Sequence, residues 1–104
     1  MKESDWKQLR KLVPELRERY LRRCNQELAV LLAATGKTET DRFWETEKRM
    51  TREKEILRVC LDDLRRSRLF DTIMFMRRYG MLTEADLLQF SEELQARVKV
   101  ALEI

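Results

Sequence analysis

The sequence predicts an all-α protein, a small bundle of four to five helices forming a single domain over residues 1–104, and three observations predict it. Turn-formers are scarce, with two glycines and one proline in 104 residues. A sheet protein needs a turn every several residues, and those turns favour Gly, Pro and Asn. Apolar residues recur at three- and four-residue intervals along most of the chain, as on a helix with one buried face. The third observation is a near repeat: Gly36-Lys-Thr38-Glu-Thr-Asp41 and Gly80-Met-Leu-Thr83-Glu-Ala-Asp86 hold both glycines. In each, Gly can end a helix in the left-handed conformation because it has no Cβ to clash. The Thr that follows can N-cap the next helix, with an acid three residues on in a capping-box-like arrangement.

Ser4 is placed to cap a first helix from Asp5 to about Leu12. Trp6, Leu9 and Val13 share one face, and the stripe continues through Leu16, Tyr20, Cys24, Leu28 and Leu31. Pro14 interrupts it, since proline removes one helical hydrogen bond and disfavours α geometry at Val13. Pro14 is read as the first residue of a second helix that runs to about Thr35; the unbroken stripe argues instead for one kinked helix. Glu15–Arg19 and Glu18–Arg22 have the i,i+4 spacing of solvated ion pairs.

After the first Gly–Thr turn comes a long helix, about Glu39 to Arg66, in which Phe43, Met50, Leu57 and Leu64 recur every seven residues. Glu53 or Lys54 falls where an apolar knob would go, before Cys60 and Leu61 restore the stripe. The pattern is too broken for an autonomous coiled coil and suits one member of a bundle. A break is expected near Ser67, with Ser67 as a new N-cap. Leu69–Met76 is apolar nearly all round, which predicts a central helix ending at Arg77-Arg78-Tyr79. The last helix starts after Thr83, with Leu87, Phe90, Leu94, Val98 and Ala101 inward. Its tail, Val98 to Ile104, also alternates as a strand would, and helix continuity favours the frayed helix end.

Two helices joined at Gly36–Thr38 form an antiparallel hairpin. Pairing about residue 37 sets Cys24 opposite Met50 and Cys60 opposite Pro14. The cysteines are then about ten residues apart along the axis, roughly 15 Å, and a disulfide needs Cα atoms within about 7 Å. Two buried free thiols are expected, which fits a cytoplasmic location.

Composition narrows function by exclusion. The net charge is +3, from 22 basic and 19 acidic residues, a mixed surface with ample carboxylates for its 15 arginines. No window approaches the roughly 20 apolar residues of a membrane span, and MKESDWKQLRKL carries no apolar leader core. With no histidine, Ser-His and Cys-His nucleophiles and His-based metal sites drop out. The two cysteines lack zinc spacing, and neither glycine sits in a phosphate loop. No cofactor and no metal are expected.

Three function classes remain. The first is a non-enzymatic module for protein docking or self-association, a small adaptor or regulator with a homodimer as the default. Its anchors are Trp44, Phe70, Ile73, Met74, Phe75 and Met76, because a chain this short can bury one side of the 69–76 helix and leave the other for a partner. The competing reading of that helix is that it is core on both sides. The second is nucleic-acid backbone binding through Arg65, Arg66, Arg68, Arg77 and Arg78. Helix-turn-helix reading is disfavoured, because Glu84, Asp86, Glu92 and Glu93 would face phosphates. The third is an enzyme that holds a small anion among Arg17, Arg23, Lys37, Arg49 and Glu53.

Overall fold

The computed structural model describes residues 2–103. Among them the chain forms five α-helices and no strand: α1 Glu3–Leu32, α2 Glu39–Leu61, α3 Leu69–Arg78, α4 Glu84–Leu87 and α5 Glu92–Glu103, with a 3-10 turn at Arg66–Arg68 before α3. α1 and α2 make the long antiparallel hairpin. The shorter α3–α5 pack against one side of its base, giving an elongated molecule of 52 × 25 × 19 Å.

α1 runs unbroken through Pro14, so the expected second helix start at Pro14 is not there. Pro14 lies on the exposed side of α1, where the carbonyl that loses its partner meets water. On the opposite side Leu9, Leu12, Val13, Leu16 and Tyr20 are all buried. Their burial, about 1.5–3 kcal/mol for each large apolar side chain, outweighs a proline penalty of about 3 kcal/mol. The helix starts at Glu3 without a side-chain cap, so Ser4 does not cap it. Arg19 turns to Asp86 across the bundle instead of back to Glu15.

Both Gly–Thr turns form as expected. Gly36 and Gly80 have φ of 73° and 74°, and Thr38 Oγ1 accepts from the Asp41 N–H at 3.0 Å. Only the second turn completes the box, with the Thr83 N–H donating to Asp86 at 2.8 Å and the Asp86 N–H to Thr83 Oγ1 at 3.1 Å. Asp86, buried and also paired with Arg19, thereby joins the start of α4 to α1.

α2 ends at Leu61, not Arg66, and Ser67 lies inside the 3-10 turn with no cap at the start of α3. The last helix is divided: α4 stops after Leu87, and α5 begins past Ser91. The reason lies at Ser91, whose Oγ accepts from the Leu94 N–H while its own N–H and O–H donate to the buried Asp5 carboxylate at 2.8 and 2.7 Å. This contact fixes the start of α5 against the first turn of α1. α5 stays helical to Glu103; Ile104 lies outside the described residues.

Candidate interaction surface

The hairpin register follows from its polar contacts. Arg42 Nε donates to the Ala34 carbonyl at 2.7 Å, Arg49 pairs with Glu27, and Glu53 meets Cys24. Cys24 therefore lies across from Glu53, about one helical turn from the expected Met50. The seam of α2 that faces α1 is Thr46, Arg49, Glu53, Ile56 and Cys60, of which all but Arg49 are buried. The buried stripe is thus not the heptad series Phe43, Met50, Leu57 and Leu64.

Glu53 occupies the middle of this seam. Its carboxylate accepts from Tyr20 Oη at 2.5 Å, Arg49 Nε at 3.0 Å and Cys24 Sγ at 3.3 Å. Burial opposes its ionisation, but these three donors outweigh it and hold the carboxyl below the usual glutamate range. The same carboxylate raises its neighbours. Burial, then the bond to Glu53, pushes Cys24 up to about 11, and burial alone does the same for Cys60. Both thiols are free and buried, as expected. The folded protein should therefore react very slowly with a thiol reagent at neutral pH, since the thiolate is the nucleophile. Unfolded without reductant, it should titrate two thiols per chain; rapid reaction of the folded form would contradict this environment.

Toward its tip the hairpin leaves the core. Beyond Cys24 on α1 and before Thr46 on α2 no residue is fully buried. The heptad stripe of α2 shows the change: Leu57 is half-buried against the core, Met50 is 46% exposed and Phe43 59% exposed. On α1, Leu32 is 54% exposed, and it lines one shallow depression with Phe43 and Trp44. Trp44 is 60% exposed, its ring edge-on to Phe43 at 4.9 Å between centroids.

The other expected anchors separate. Ile73, Met74 and Met76 are buried, so these three are closed to a partner and α3 is core on the side they occupy. Phe70 and Phe75 are half-buried against that core. Phe70 lies beneath the Arg97 guanidinium at 4.1 Å, in a shallow apolar depression with Val100 and Ala101. Trp44 is distant in sequence from these residues and belongs to the hairpin tip. Leu32, Phe43 and Met50 were not singled out as anchors from the sequence. The heptad recurrence of Phe43 and Met50 was the available signal, but it reads equally well as a seam toward α1.

The arginine cluster is largely engaged within the chain. Arg65 and Arg68 both pair with Asp63, at 2.9 and 2.7 Å. Arg66 makes a two-pronged contact with Glu3. Arg77 donates to the Leu82 carbonyl at 3.1 Å, and Arg78 is exposed. Nor do the five residues of the anion-site reading come together: Lys37 pairs with Glu45 at the tip, Arg23 stacks over Tyr20, Arg17 is exposed, and Arg49 and Glu53 bind each other. Among the described residues no group of acids and cysteines could hold a metal ion, and no helix is long and apolar enough to cross a membrane. Comparison with protein-family models, with curated proteins and with solved structures finds no match for this chain.

Proposed function

We propose that the chain is a protein-interaction module whose docking element is the projecting part of the α1–α2 hairpin. The observation that carries this reading is the apolar stripe that continues past the core into solvent, with Met50, Phe43 and Leu32 each roughly half exposed or more. A helix in water places charged residues on such positions, and contiguous exposed apolar patches mark association surfaces more often than chance. The arginine clusters support a backbone-binding role less well, since four of those five side chains already hold partners inside the chain. The test is site-specific photo-crosslinking of the full chain in cells. A photoreactive residue at position 50 should give discrete crosslinked species, and one at position 11, on the exposed side of α1 at the hairpin base, should not. Equal labelling from both positions, or none from position 50, would overturn the proposal.

A further inference from the structure

The open face of the hairpin is built from both helices. On α2, Phe43, Met50 and Leu57 lie about 60° around the helix from the Thr46–Glu53–Cys60 seam, counted at about 100° per residue. On α1, Leu21, Leu28 and Leu32 fall on one side at i, i+7 and i+11. Leu32 and Phe43 share a depression, which places the two sets on the same face. The rest of the bundle packs on the opposite one: Arg19 and Arg23 reach Asp86 and the Tyr79 carbonyl, and Gln8 reaches Gln89. The face is thus open from the tip to Met50, and Leu57 at its base is half-buried against the core.

Its polar residues identify the occupant. Glu47 and Lys54 flank Met50 on α2, three residues before and four after it. Both are exposed. Glu47 accepts the Thr51 hydroxyl at 2.8 Å, and Lys54 makes no ion pair among the described residues. An identical helix laid antiparallel across α2, with a twofold axis at Met50, brings Glu47 to within one residue, about 1.5 Å of rise, of the level of the second copy's Lys54, twice by symmetry. The same axis sets Phe43 against Leu57 and Met50 against its own counterpart. The register fixed by the Arg49–Glu27 and Glu53–Cys24 contacts carries the axis on to α1 near Gln26, where it sets Leu21 against Leu32. One twofold axis therefore matches apolar to apolar on both helices and acid to base on α2. Isologous pairing requires this self-complementarity, and an unrelated surface has no reason to show it.

Resting on the docking reading above, we propose that the hairpin face binds a second copy of this chain, the two hairpins stacking face to face as an antiparallel four-helix bundle with Met50 at the twofold axis. Light scattering on the full chain should give twice the 12.7 kDa chain mass. Glu47→Lys and Lys54→Glu, each alone, should raise the dimer dissociation constant on the order of tenfold, because two attractive pairs become repulsive. The combined charge swap should restore wild-type affinity, which a folding defect would not do. A wild-type mass of 12.7 kDa at millimolar concentration overturns the proposal, and so does a dimer that the double swap fails to rescue. If the wild type is monomeric while position 50 still crosslinks to other proteins, the second copy is excluded and the docking reading stands. A monomer with no crosslinks removes both.

Discussion

Replacing Glu53 by Ala is expected to lower the free energy of unfolding by about 2–4 kcal/mol. Three donors converge on this carboxylate. Without it the buried Tyr20 hydroxyl and Cys24 thiol lose their acceptor, and a cavity opens in the hairpin seam. Arg49 keeps its second partner, Glu27, and sits partly in solvent, so the full cost of stranding a buried charge does not apply. Chemical denaturation followed by circular dichroism measures the effect. Combining Tyr20→Phe with Glu53→Leu should recover part of the loss, because removing both polar partners leaves no orphaned hydroxyl. A Glu53→Ala variant as stable as wild type would show that the network contributes nothing.

The same network makes stability depend on pH, in a direction that can be worked out. The Glu53 carboxyl is held below its ordinary value in the folded chain, as is that of Asp86, where burial is outweighed by Arg19 and the Thr83 backbone and hydroxyl. A depressed carboxyl binds its proton more weakly when folded than when unfolded. Its stabilisation is therefore fully present above the ordinary carboxylate range and is lost as pH falls through it and below. Glu53→Gln should flatten the part of this acid limb that Glu53 causes.

How much of this was legible in the chain differs from helix to helix. The Gly36–Thr38 and Gly80–Thr83 turns were readable because each is a local device: a glycine with φ of 73° or 74° and a threonine whose side chain reaches three residues ahead. Their effect needs no tertiary contact. Pro14 was misread for the opposite reason. Its local penalty is real, but the buried residues on the far side of α1 decide, and they depend on helices distant in sequence. Splitting the last helix likewise required Asp5, eighty-six residues from Ser91. On α2 two seams compete within one helix. Hydrophobic periodicity selects Phe43, Met50 and Leu57, whereas the seam that is buried carries Thr46 and Glu53, polar residues whose burial depends on partners on α1. An apolar pattern alone cannot reveal that a carboxylate is satisfied, so Glu53 reads from the sequence as a break in the stripe although it is buried in the seam.

Truncating Ile73 to Ala is expected to cost about 2–5 kcal/mol, a large share of the roughly 5–15 kcal/mol that holds such a domain together. Ile73 is 0% exposed on the central helix, among Leu69, Thr72, Met74 and Met76, which are also buried. α3 packs against both α2 and α5. Deleting the side chain leaves a cavity that helices held on several sides cannot close. At about 4–8 °C per kcal/mol for a domain of this size, the midpoint of thermal unfolding should fall by at least about 8 °C. Phe70→Ala is the informative control. Phe70 is larger but only half-buried, with one ring face covered by Arg97, so its removal should cost less than that of Ile73 despite the greater loss of area. If Ile73 is core, its truncation lowers the midpoint at every protein concentration by the same amount. If it were a contact between chains, the loss would appear as a concentration-dependent midpoint with the isolated chain unchanged.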